Sequence, residues 1–198
     1  MESGSRLDVI RRIMPPGSGV VADEPSMPDH LGGRLPGDYL EFIAVYGGGA
    51  VDDCLEVAVP GEDASPGGAP LPISRVTMEA HKAWEFEKVG GELIGGPDSI
   101  LAWGIDSSAD LLCWVTSEAS ADSWPVAVFN RGKARWRVYE CGMVDFLVGV
   151  FQEEFDECPI GEVSLWGARE PRFLNWREEK RLIASGIHPW NGGSLQTF

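Results

Sequence analysis

Leu7, Ile10, Ile13 and Met14 recur at three- and four-residue intervals, which puts them on one face of a helix and predicts a short amphipathic helix over residues 5–14. Ser5 is placed to cap its free N–H groups, Asp8 sits in its first turn, and Pro15-Pro16 stops it. Residues 15–34, rich in Gly, Pro, Ser and Asp, read as a loop. Leu35-Pro36 then opens a second helix with Tyr39, Phe42, Ile43 and Tyr46 along one face, and Gly47-Gly48-Gly49 closes it. Residues 54–59 (CLEVAV) alternate and predict a strand; residues 60–72 predict a loop, and 74–89 a third, less regularly patterned helix.

Four strand-like runs follow in close succession, 99–105, 110–116, 124–130 and 134–140. The intervals are short and hold turn formers, Asp106-Ser107-Ser108 and Arg131-Gly132-Lys133, so an antiparallel meander is expected. Pro125 is tolerable because it lies near the start of its strand. Over 142–155, Met143, Phe146, Leu147, Val150 and Phe151 form the most regular apolar stripe of the chain. Glu153, Glu154, Asp156 and Glu157 crowd the end of that helix, where the dipole disfavours acids unless they are solvated or put to use. A last helix is expected over about 176–185, with Asn175 and Glu178 spaced as a capping box and Gly186 and Pro189 beyond its end. The pattern as a whole predicts one α+β domain over residues 1–158 and a C-terminal extension, 159–198, whose short helix packs on the same domain.

Charge sharpens this picture. Lys and Arg number 16 and Asp and Glu 31, a formal net charge of −15, with the excess spread over both halves of the chain. Such a surface repels nucleic acid and anionic lipid and speeds the approach of basic partners. No run approaches the ~20 apolar residues that span a bilayer, and the N-terminus lacks the apolar core of a signal peptide, so a cytoplasmic protein is expected. Cys54, Cys113, Cys141 and Cys158 show no CxxC spacing and read as small hydrophobes in a reducing compartment.

The motifs of catalysis are missing from the sequence. There is no GxSxG elbow, no HExxH, no calcium loop, and Gly47–Gly49 lacks the GK[ST] ending of a phosphate loop. Of the histidines, His30, His81 and His188, only His81 has a candidate orienting group, Glu85 four residues on, and a surface residue with a helical neighbour is the simpler reading. No catalytic residue, cofactor or metal is therefore expected. Asp52-Asp53 with Glu56, and Asp106 with Asp110, read as acidic turns. Arg131, Lys133, Arg135 and Arg137 alternate along a strand as a local basic stripe, read as a solvent face that pairs with carboxylates and guards a sheet edge. Trp103, Trp114, Trp124 and Trp136 fall in predicted strands and read as core, with an indole half exposed in a cleft serving as an interface anchor.

Several of these segments, in order, resemble one family. Leu35-Pro36-Gly37-Asp38-Tyr39 through Phe42, followed by Tyr46-Gly47-Gly48-Gly49, resembles the N-terminal helix of the SUKH superfamily. Trp103-Gly104-Ile105-Asp106 with Asp110-Leu111-Leu112-Cys113-Trp114 resembles its strand pair, Trp124-Pro125-Val126-Ala127-Val128 its following strand, and Asp145-Phe146-Leu147 its closing helix. The resemblance covers roughly residues 5–156; it departs at Ala109, where many members have Gly, and does not reach the tail. It implies an α+β fold with a curved antiparallel sheet of about five or six strands flanked by helices. It also implies a protein-binding scaffold without shared catalytic residues, as in bacterial immunity proteins that neutralise polymorphic toxins, often nucleases. Fungal relatives regulate cell-wall synthesis instead, which keeps a regulatory or scaffold role as the alternative; a small-ligand or metal-dependent enzyme is the remote one. On the leading reading, a basic toxin domain meets Asp52, Asp53, Glu56, Asp106 and Asp110, with Trp103 or Trp114 as the anchor.

Overall fold

The computed structural model describes residues 5–17, 34–61, 70–86, 95–117 and 119–195. The elements are α1 (Arg6–Ile13), α2 (Gly37–Tyr46), β1 (Gly49–Val51), β2 (Leu55–Val57), α3 (Ile73–Phe86), β3 (Ile100–Asp106) and β4 (Leu111–Val115). They continue with β5 (Val126–Asn130), β6 (Arg135–Tyr139), α4 (Met143–Phe151), β7 (Phe173–Asn175) and α5 (Trp176–Ala184). Every apolar stripe of the sequence forms the element it predicts, with shifted ends. Most of the loops expected over 15–34 and 60–72, the end of the helix expected over 74–89, and His30 lie outside the described residues.

The fold is α+β, with every strand among the described residues in one antiparallel sheet of order β6-β5-β4-β3-β2-β1-β7. The meander β3 to β6 is as the sequence predicts. The additional strands, β1 and β7, are three residues long, too short to display a period of two. β1 starts inside the glycine run, and the run does more than end α2. Gly47 adopts φ 69, as a helix end requires, while a Cβ on Gly49 would lie 2.2 Å from the carbonyl oxygen of Leu174 on β7. Only glycine lets the two backbones approach this closely.

α2 and α4 pack on one sheet face through their aromatic side chains, with α1 packed on α4. Its core is aromatic: Tyr39 meets Trp114 edge-on at 5.0 Å, Phe42 meets Phe173 at 5.8 Å, and Phe146 meets Trp103 at 6.1 Å and Tyr139 at 5.3 Å. A bulge between Ala102 and Gly104 lets Trp103 join this face. The other face is covered by α3, which lies over β3 and β4; Trp84 reaches Trp136 at 6.3 Å, and Trp136 reaches Phe129 at 5.1 Å.

Asp38 joins the two helices of the aromatic face. One of its oxygens accepts from the Tyr39 N–H (2.7 Å) and the other from Val144 N–H at the start of α4 (3.0 Å). The Tyr39 hydroxyl donates to the Ala58 carbonyl (2.7 Å), locking α2 to the end of β2. α4 ends at Phe151, earlier than the sequence predicts, because Glu153 adopts φ 56. The acidic run beyond it is put to use: Arg6 pairs with Glu154 (2.9 Å) and with Asp145, and Glu157 accepts from Lys133 (3.2 Å) and Arg137 (2.8 Å). Residues 159–175 are built into the fold, with Ile160, Leu165, Phe173 and Leu174 buried. The Asn175 side chain caps α5 by accepting from Arg177 N–H (2.9 Å), whereas Glu178 turns to Arg181 (2.7 Å) and forms no capping box. No helix among the described residues is long and apolar enough to cross a membrane.

Candidate protein-binding surface

The acidic and aromatic residues singled out in the sequence separate into two groups. Asp106 and Asp110, expected as exposed acids, are 5% and 1% exposed. Asp106 accepts from the N–H of Asp110 (2.8 Å) and of Glu162 (3.0 Å). Asp110 accepts from the N–H of Arg131 (2.8 Å) and Gly161 (2.7 Å) and from the Asn130 amide (2.7 Å). Two side chains thus tie the β3–β4 turn to the β5–β6 turn and to the segment leading to β7. Burial and the nearby Asp110 push Asp106 up to about 6, against the backbone donors that hold it down; burial also raises Asp110. A carboxylate so enclosed cannot meet a partner, and the expectation that these two do so is corrected. The turn keeps the left-handed conformation suited to Gly, although Ala109 occupies it at φ 61.

Trp103 and Trp114 are likewise corrected. Both are 0% exposed, in ring contact with each other at 6.1 Å, and belong to the core under α2 and α4. Neither is available as an interface anchor. Asp38, Tyr39, Trp103, Asp106, Asp110 and Trp114 therefore act in folding.

Asp52, Asp53 and Glu56 are the residues of the set that reach the surface. Asp52 and Asp53 form the β1–β2 turn with φ 49 and 60, values that Asp tolerates better than most side chains. Asp52 is committed to β7, exchanging hydrogen bonds with the backbone of Arg172 at 2.9 Å in both directions. Asp53 is exposed. Glu56 points from β2 to the α3 side of the sheet, since its neighbours Leu55 and Val57 are buried on the other. The Glu56 side chain is open to solvent, yet surrounding protein displaces enough water to push its pKa up; Glu179 of α5 raises it further, and Arg75 of α3 offsets part of this. Glu179 is raised by burial and by Asp53. Charge on Glu179 and Asp53 thus raises Glu56, and charge on Asp53 raises Glu179.

Glu179 and Arg75 were not legible as site residues. Their linear distance from Glu56 conceals that β7 brings α5 to β1. The basic stripe falls on β6, an edge strand, where Lys133 and Arg137 pair with Glu157 and Arg131 donates to the Ala109 carbonyl (3.1 Å). His81 lies 3.3 Å from the Ile100 carbonyl oxygen, and His188 accepts from Trp190 N–H (3.2 Å). Among the described residues, no three His, Cys, Asp or Glu side chains gather as a metal site. Cys113 is fully buried, and burial pushes its thiol and those of Cys54, Cys141 and Cys158 up, away from reactivity. Compared with family models, curated proteins and solved structures, the chain matches none.

Proposed function

We propose that this chain is a cytoplasmic protein-binding module, an immunity protein of the SUKH type that neutralises a basic toxin domain by direct binding. The observation that carries the reading is a net charge of −15 that reaches the surface at Asp53 and Glu56, with Glu56 and Glu179 each pushed up by burial and by a neighbouring carboxylate. Carboxylates held close together and partly desolvated are stabilised by an incoming cation more than scattered surface acids are. A toxin that acts on nucleic acid presents such cations, because its own substrate site must neutralise phosphates. The order of the resembling segments along residues 5–156 supports the same reading. In it the protein occludes its target and performs no chemistry.

The test is affinity capture of the tagged full chain from its own organism's lysate, followed by expression of the captured protein with and without this chain. The expected result is one basic protein held at near 1:1 ratio, toxic alone and harmless when this chain is co-expressed. Capture of non-toxic cell-wall or signalling proteins would overturn the immunity reading in favour of a regulatory scaffold.

A further inference from the structure

Four of the chain's 16 basic residues, Arg131, Lys133, Arg135 and Arg137, fall in the β5–β6 turn and on β6. The turn is pinned from below. Asp110 accepts from the Arg131 N–H (2.8 Å) and the Asn130 amide (2.7 Å), and the Asn130 side-chain oxygen accepts from the Lys133 N–H (2.8 Å). Side chains alternate along β6: Trp136 is buried on the α3 side against Trp84, while Arg135 and Arg137 point to the other side. There Arg137 lies over the Tyr139 ring at 5.5 Å, Tyr139 meets Phe155 at 5.0 Å, and Phe155 stacks on Trp166 at 6.4 Å. Phe155 and Trp166 are half-buried. Cations and partly exposed aromatic rings thus form one continuous surface. Glu157, from the segment after α4, shows what that surface holds. Its carboxylate lies 3.2 Å from the Lys133 ammonium and 2.8 Å from the Arg137 guanidinium. One carboxylate serves two cations, and Arg135, exposed on the same face, makes no ion pair among the described residues. Lys133 and Glu157 are 53% and 52% exposed, and ion pairs so open to water are weakly held and exchange readily.

We propose that the face formed by Lys133, Arg135, Arg137 and the Phe155–Trp166 pair docks an acidic, extended segment of a protein partner. A strand sets Arg135 and Arg137 about 6.6–6.8 Å apart, the same interval as carboxylates at alternate positions of an extended segment. One such carboxylate takes the place of Glu157 between Lys133 and Arg137, another meets Arg135, and an apolar residue at the end of the segment covers Phe155 and Trp166. Charge complementarity selects this occupant, because cations outnumber carboxylates here on a chain of net charge −15. The same net charge opposes a second copy, and opposes nucleic acid, whose charge is far denser than that of a few carboxylates. The inference goes beyond the reading of the chain as a binder of a basic protein. β6 lies at one end of the strand order and the acidic β1–β2 turn towards the other, so the two surfaces are separate.

The probe is a synthetic peptide with glutamate at alternate positions, serine between them and leucine at one end. It is titrated into the isotope-labelled full chain and followed by amide chemical shifts. The expected shifts map to Lys133, Arg135, Arg137, Glu157 and Trp166. Lys133→Gln with Arg137→Gln should weaken binding about tenfold or more, the scale of losing two close charge contacts. Arg135→Gln, which breaks no ion pair within the fold, should weaken it about threefold. Arg11→Gln with Arg12→Gln removes the same charge at other exposed positions and should change it less than about twofold. Glu157→Gln should act in the opposite direction and tighten binding about threefold, because it removes the competing carboxylate. The dispersion of each spectrum confirms that the variant is folded. Shifts spread over the whole surface, equal weakening by the two double variants, or no tightening in Glu157→Gln would overturn the site. Shifts at these residues that follow protein concentration alone would put a second copy there, and tighter binding of a single-stranded oligonucleotide than of the peptide would put nucleic acid there; either overturns the acidic protein segment as the occupant.

Discussion

Asp106 is expected to show how strongly one buried carboxylate marks the whole stability profile. Its folded pKa is raised to about 6, whereas an aspartate in the unfolded chain titrates near ~3.9. Between those values the folded state holds more protons than the unfolded state, so stability falls as pH rises through the window. Above both pKa values the ionised form costs about 2–3 kcal/mol relative to the protonated one. Asp38, Asp110, Glu56 and Glu179 are raised too and share the sign. Glu157, Glu162 and Glu178 are lowered, by Lys133, Ser107 and Arg181 first, and contribute in the opposite sense at lower pH; all three are solvent-screened and weaker. Urea unfolding at pH 4.5 and pH 7 should therefore find the protein more stable at the lower value. Asp106→Asn should flatten part of that difference, and a slope unchanged in the variant would place the titration elsewhere.

Elements were legible where their apolar pattern runs for several periods. Helices α1, α2 and α4 and the meander β3 to β6 follow from stripes and turn residues alone. β1 and β7 were not, because three residues cannot show alternation and their pairing joins positions 49 and 175. The glycine run held a partial signal: it reads correctly as the end of α2, but its third member is demanded by β7. Gly49→Ala tests that assignment. A methyl group 2.2 Å from the Leu174 carbonyl oxygen forces β7 outward, at a cost of about 1–3 kcal/mol. Amide exchange should quicken at Leu174 and Asn175 while β4 and β5, remote from that edge, keep their protection. Uniform loss of protection across the sheet would show that β7 does not open as a separate unit.

At the scale of the molecule, the chain's charge was visible from composition, whereas which acids stay exposed and which are enclosed was not. Asp53 and Glu56 are close in sequence and exposed; Asp106 and Asp110 looked equally acidic and are enclosed by the C-terminal segment. The tail expected as an extension thus decides both the core and the surface. Removing residues 159–198 tests this directly. It takes away the N–H donors of Gly161 and Glu162, leaving Asp106 and Asp110 buried with fewer partners. It strips Phe173 from Phe42 and Tyr46, at 5.8 and 5.3 Å, and leaves β1 as a bare edge. Ile160, Leu165, Phe173 and Leu174 are all buried. At roughly 1.5–3 kcal/mol each they contribute about 6–12 kcal/mol, as much as a domain's whole net stability. The 1–158 fragment should therefore lack a cooperative thermal transition and give poorly dispersed amide spectra. A fragment that melts sharply with native dispersion would instead make residues 159–198 an appendage to a core that closes without them.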